Sequence, residues 1–189
     1  MSFQIYLKSV INDSNLELHI PSIIDTFSVL ELKKGDFFVK EGAICKYFCY
    51  IERGILQHSI SVLGEEKTTY LALKNSPTSA LNSFKNKVPS RKNIKALSDC
   101  RLYVIDLISF NDLLKTNSGF YQFYYNLIEH QIFRIDNYRI DLLTLTPEER
   151  YQKLTTNENE LIEDVPLRYL ASFLGISQRH MSRIRKNIK

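Results

Sequence analysis

Gln178, Arg179, His180, Ser182, Arg183 and Lys186 are side chains that hydrogen-bond planar or anionic partners, and they recur on one side of a helical repeat. An Arg guanidinium can bond two acceptors on a guanine edge, and a Gln amide can pair an adenine edge. Ser or Lys can hold a phosphate oxygen. Lys189 adds a further cation, and Ser177 stands where it can cap the helix that carries the set. From Leu167 to Lys189 the charged residues are Arg168, Arg179, Arg183, Arg185, Lys186 and Lys189, with no Asp or Glu. The chain as a whole is net +4, so without this segment it would be net negative. A solvated surface helix ordinarily carries both signs, and a patch of one sign points to a polyanion.

These side chains need a scaffold, and the neighbouring residues supply one. Pro166 can open a helix whose apolar stripe is Leu167, Leu170, Ala171 and Leu174. The stripe ends at Gly175, where a positive φ allows a tight turn. Ser177 then starts a second helix with Met181 and Ile184 facing inward. Two short helices at this spacing form a helix-turn-helix, and the expected DNA-binding set is Ser177, Gln178, Arg179, His180, Ser182, Arg183, Lys186 and Lys189. Upstream, Thr146-Pro147-Glu148-Glu149 reads as the start of another helix running through about Leu154. Thr146 is its N-cap, Pro147 its first residue and Glu149 the capping-box partner. Thr144 to Thr146 is the expected hinge.

Between Ser118-Gly119 and this hinge, Tyr121, Tyr124, Ile128, Gln131, Ile135, Tyr138, Leu142 and Leu145 recur at three- and four-residue spacing. Such a narrow apolar seam calls for a second helix, and Tyr124, Ile128, Gln131, Ile135, Tyr138 and Leu142 are the expected homodimer seam. The alternative is that this helix packs on its own domain. From about Asp25 to Ile105 the pattern is instead short β-rich runs. The strand candidates are Phe37 to Val39, Tyr47 to Ile51, Ile55 to Val62, Thr68 to Leu73, Asn93 to Leu97 and Leu102 to Ile105. Gly35, Gly42, Gly54 and Gly64 lie between or beside them, as in a small barrel or sandwich. The first residues, to about Ile24, read as a short helix and a loop.

Composition places the chain among ordinary globular proteins: 44% hydrophobic, 24% charged, with 11 Phe and 11 Tyr for a core. The N-terminus lacks a basic region followed by an apolar run, and no stretch of about 18 apolar residues occurs, so a cytosolic location is expected. Cys45, Cys49 and Cys100 form no C-x-x-C and read as small buried hydrophobes. His19, His58 and His130 are scattered, and neither metal nor cofactor is expected. The sequence has no Walker-type phosphate loop, no G-x-S-x-G and no H-E-x-x-H, so an enzyme is not expected.

The order of these parts over about residues 25–189 resembles the Crp/Fnr family of bacterial transcription regulators. The residues that carry the likeness are K-K-G-D-F-F-V-K-E-G (Lys33 to Gly42), Y-I-E-R-G-I-L (Tyr50 to Leu56) and L-A-S-F-L-G-I-S-Q-R-H-M-S-R-I-R-K (Leu170 to Lys186). The resemblance implies an α+β fold in three parts: a jelly-roll-like sensor roll (1–118), a dimerisation helix (119–145) and a helix-turn-helix domain (146–189). It also implies a homodimer on double-stranded DNA with recognition helices about 34 Å apart. RNA polymerase is a further implied partner, and the effector is unknown or absent. Family members that bind cyclic nucleotides carry a Gly-Glu pair for the ribose and an Arg followed by a small hydroxyl residue for the phosphate. Leu73 to Phe84 has neither Gly nor Glu, and Lys92 follows Arg91, so cyclic AMP is not expected. Thr78, Ser79, Ser83, Ser90 and Arg91 remain the candidates for an effector pocket, although Arg91 and Lys92 read more simply as a solvated loop. Gln178-Arg179 replaces the family's Arg-Glu pair, with Arg183 at the retained arginine, so a different DNA site is expected. Little room is expected for a β-wing after the second helix of the pair. The competing reading is a ligand-binding or protein-interaction module whose C-terminal helices merely pack.

Overall fold

The computed structural model describes residues 2–157 and 159–187. Its centre is a roll of two four-stranded antiparallel sheets. One sheet has the order β1 (Ser28–Leu32), β8 (Cys100–Asp106), β3 (Tyr47–Arg53), β6 (Ser76–Thr78). The other has the order β2 (Phe37–Val39), β7 (Asn93–Ala96), β4 (Leu56–Val62), β5 (Glu65–Ala72). All six expected strands are present, and β1 and β6 join them. β1 escapes a pattern search because most of Ser28–Leu32 is exposed and β6 because it is three residues long. The β3–β4 reversal turns on Gly54 at φ +99°, where a side chain would meet the Asp99 carbonyl at 2.6 Å, so only glycine fits.

Helices α1 (Phe3–Ile11) and α2 (Ile20–Thr26), joined by a 3-10 turn at Ser14–His19, cover the first sheet. Phe3, Leu7 and Ile11 recur every fourth residue and are buried, and Phe3 stacks on Tyr50 with ring centroids 4.5 Å apart. α3 (Leu81–Asn86) follows β6, and α4 (Leu107–Thr116) follows β8. α4 is started by Asp106, whose carboxylate accepts the Ile108 and Ser109 amides at 2.8 and 3.0 Å. Phe110 of α4 meets Phe48, Phe84 and Phe120 edge-on or tilted and closes the roll's core. Cys45, Cys49 and Cys100 are free thiols buried in it.

The long helix α5 (Ser118–Thr144) begins inside this core with Phe120, Phe123 and Leu127 and then runs out of it. Leu145 leaves the helical region (φ −108°, ψ 142°), and α6 (Pro147–Asn157) starts at once. The capping box forms: Thr146 Oγ1 accepts from Glu149 N at 3.3 Å, and Glu149 Oε2 accepts from Thr146 N at 2.8 Å. α7 (Asn159–Asp164), α8 (Leu167–Phe173) and α9 (Gln178–Asn187) complete a second core around Tyr151, Leu161, Leu170, Leu174, Met181 and Ile184. This core is continuous with Ile55, Leu71 and Leu97 of the roll. Among the described residues no helix is long and apolar enough to cross a membrane.

Candidate nucleic-acid interface and effector cavity

α8 and α9 meet through a turn with Gly175 at φ +73°, a conformation that costs a side chain strain. The Gly175 and Ile176 amides donate to Ser172 and Ala171 carbonyls at 3.2 and 3.0 Å and so cap α8. Ser177 Oγ then accepts from His180 N at 3.2 Å and starts α9. Met181 and Ile184 are buried against Leu170, Ala171 and Leu174, which fixes the opposite face outward. Gln178, Arg179, Arg183, Arg185 and Lys186 are exposed there.

The rest of the expected reading set is placed differently. His180 Nε2 lies 2.8 Å from Glu148 Oε1 on α6, which ties it to its own domain and lowers the Glu148 carboxyl below its ordinary value. Ser182 Oγ donates back to the Gln178 carbonyl at 3.0 Å. Lys189 lies outside the described residues. Arg185, a cation not in the expected set, is exposed on the same helix.

α5 divides the expected seam between two faces. Tyr124 packs edge-on against Phe110 at 5.1 Å. Tyr138 stacks on Phe173 of α8 at 5.5 Å and donates to its carbonyl at 3.2 Å. Gln131 lines a cavity between α5 and the roll. Ile135 (59% exposed), which also borders that cavity, and Leu142 (43%) are exposed and align with Tyr121, Tyr125 and Ile132 (59%). Tyr121, Tyr125, Ile128, Ile132 and Ile135 follow one another at alternating four- and three-residue steps, with Leu142 seven residues further on, and the first four border a groove with Leu114 and Phe133.

The partly open cavity of about 710 Å³ lies between the roll, the inner face of α5 and helices α6–α8. Its walls are mainly apolar: Phe48, Tyr70, Leu71, Leu81, Leu127, Tyr138, Leu161 and Phe173 among them. One wall is polar. There His58 Nε2 pairs with Thr78 Oγ1 at 2.8 Å, and Ser79 Oγ donates to the Tyr47 carbonyl at 3.0 Å. Burial, helped by the nearby Lys92, keeps the His58 imidazole well below its ordinary value and therefore neutral. Burial also lowers the Lys92 ammonium. Tyr70 stands edge-on to His58 at 5.3 Å, with the Arg134 guanidinium 5.9 Å from the Tyr70 ring.

Of the expected pocket residues, Thr78 and Ser79 line this cavity. Ser83, Ser90 and Arg91 are not part of its wall. Ser83 Oγ accepts from Cys45 N at 2.9 Å and donates to the Val88 carbonyl at 2.6 Å. Ser90 Oγ donates to the Lys92 carbonyl at 2.7 Å, and Arg91 is exposed. Arg91 is thus exposed, whereas the turn that Ser90 fixes carries the partly buried Lys92 to the cavity. His58, Lys92 and Tyr70 are cavity residues that sequence reasoning did not single out. For His58 the available mark was a titratable ring inside a strand run.

Residues 29–117 match the cyclic nucleotide-binding domain family. No curated protein sequence matches the chain. Among solved structures, the chain is similar to the catabolite activator protein of Thermus thermophilus (15% identity, 95% of this chain and 86% of that one, TM-score 0.59). FixK2 of Bradyrhizobium japonicum is similar at 12% identity over 86% of this chain and 84% of that one, with a TM-score of 0.70. A protein assigned to the Crp/Fnr family from Eubacterium rectale is similar at 15% identity over 93% and 82%, with a TM-score of 0.66. The chain has the Crp/Fnr regulator fold. The matched domain comprises β1–β8 with α3 and α4, and the cavity lies between it and α5.

Proposed function

We propose that the protein is a homodimeric, sequence-specific DNA-binding transcription regulator, in which α8 and α9 form the helix-turn-helix and the roll is a sensor not controlled by cyclic AMP. The observation that carries this is the outer face of α9. Arg179, Arg183, Arg185 and Lys186 stand exposed with no ion pair among the described residues, on a helix rigidly seated by Met181 and Ile184. A stretch of unneutralised cations flanked by Gln178 fits phosphate contacts combined with base reading in a major groove. The outward stripe of α5 from Tyr121 to Leu142 supports pairing with a second copy, since an apolar stripe of this length otherwise faces water.

Selection of DNA fragments from a random pool by the full chain tests the reading. The expected result is an inverted repeat with half-sites about one helical turn apart, bound with steep salt dependence. Binding without sequence enrichment, or none, overturns it. Light scattering of Ile132→Asp tests the pairing: the variant is expected to be monomeric at a concentration where the parent is a dimer.

A further inference from the structure

We propose that the cavity takes a small organic monoanion, a carboxylate on an apolar body, with the carboxylate at Lys92 and the body against Leu81, Leu127 and Phe173. The proposal rests on the sensor role given to the roll above. Three observations lead to it.

The first is charge. Four cations line the cavity (Lys92, Arg134, Arg150, Lys153) and one carboxylate, Asp141. Asp141 is already held by Lys153, at 2.6 and 2.8 Å. Lys92 is partly buried, and its ammonium engages no carboxylate or hydrogen-bond acceptor among the described residues. An ammonium withdrawn from water without an anion is costly, and the protein offers it none, so an anion from outside is the group that relieves it. The neighbouring His58 is neutral and adds no second charge beside Lys92, so one carboxylate is enough to meet the unpaired ammonium.

The second is the rest of the lining. It includes Leu81, Leu127, Leu161 and Phe173, and its one carboxylate, Asp141, is already engaged by Lys153 and so is not available to receive sugar hydroxyls. A nucleoside would leave its polar edges unpaired there, whereas an alkyl or aryl body buries well. The third is size: about 710 Å³ lies within the range of small-molecule sites and is too large for an ion alone. Because Phe173 at the end of α8 and Leu174 just after it form part of the wall, an occupant touches both the roll and the helix that seats α9.

The test is calorimetric titration of the DNA-free full chain with decanoate, decanol and cyclic AMP, repeated on Lys92→Arg and Lys92→Met. Decanoate is expected to bind at least tenfold more tightly than decanol. Lys92→Arg is expected to keep that margin. Lys92→Met is expected to abolish it while raising the melting temperature, since the enclosed charge is gone. Should Lys92→Met fail to fold by circular dichroism, Lys92→Gln is read in its place. Equal binding of decanol, a margin that survives removal of the charge, or tighter binding of cyclic AMP than of decanoate overturns the proposal. The titration contains no DNA, so its failure leaves recognition by α9 standing, and a failed DNA selection leaves the titration standing.

Discussion

Cations occur in two opposite settings in this molecule. On α9, Arg179, Arg183 and Lys186 stand in water with no anion beside them among the described residues. At the inner wall of the roll, Lys92 is drawn out of water beside a neutral histidine. Hydration keeps the first group inexpensive, so the folded chain can hold it ready for a polyanion at little cost to its own stability. The second has given up part of its hydration and gained no partner, so it weakens the fold until something fills the space. Substitutions should therefore act in opposite senses: removing an α9 cation costs binding and spares stability, whereas removing Lys92 raises stability and costs ligand.

The strongest perturbation of this contrast is beneath α9, not on it. Met181 is fully buried against Leu170 and Leu174, and Met181→Ala is expected to destabilise the C-terminal domain by about 2–5 kcal/mol. Urea denaturation followed by circular dichroism measures this; a loss under about 1 kcal/mol would mean that α9 is not seated as described. Next come the arginines. Arg179→Ala and Arg183→Ala are each expected to weaken a selected site by about 1–3 kcal/mol and to relax preference at one base pair per half-site. Their urea midpoints should match the parent's. A midpoint shift with unchanged sequence preference would make them structural residues and remove the contrast.

The difference between the two settings also explains what was legible in the sequence. A surface of one sign survives in the one-dimensional record, because the acid-free run from Leu167 onward and the spacing of Leu170, Gly175, Met181 and Ile184 are local. The capping box at Thr146 and Glu149 is equally local, and it forms where expected. The cavity is not local. His58, Thr78, Lys92 and Tyr138 come from β4, β6, the approach to β7 and α5, and only the closed roll brings them together. Ile128, Ile135 and Leu142 belong to two helical stripes at once, and the packing of Phe110 and Phe173 decides that Tyr124 and Tyr138 turn inward. α4 left a readable mark, Asp106 ahead of Phe110 and Leu113, that strand periodicity overshadowed.

The enclosed wall can be examined through pH as well. His58 is held well below the ordinary imidazole value of 6.5 by burial and by Lys92, so below that pH the unfolded chain takes a proton that the folded chain refuses. Stability from this group is complete above about 6.5 and is lost as pH falls toward the folded value, at up to about 1.4 kcal/mol per pH unit. Lowered carboxyls such as Asp106 act in the same direction, so the informative quantity is the difference between parent and His58→Gln, whose amide can keep the bond to Thr78. The variant should lose less stability than the parent between pH 7.0 and 5.5. Identical losses would place a protonated, and so hydrated, imidazole in the cavity and undo the argument for a single charge there.

The smallest effect expected is the one that most sharply separates the two settings. Lys186 is exposed in the last turn of α9, where on the proposed reading it meets phosphate and not a base edge. Lys186→Ala should lower affinity for every sequence alike and leave the selected motif unchanged. Each phosphate that the protein ceases to neutralise makes the slope of log affinity against log salt shallower by about 0.9, and a symmetric dimer gives up two. Lys92→Met removes one positive charge from the same chain, yet it should leave that slope unaltered, because counterions condensed on DNA respond to charges that touch phosphate and not to net charge. Binding isotherms across a salt series, run on both variants, decide the matter. If the two shift the slope equally, α9 contributes only to the bulk charge of the protein, and the distinction between a hydrated reading surface and an enclosed anion site loses its basis.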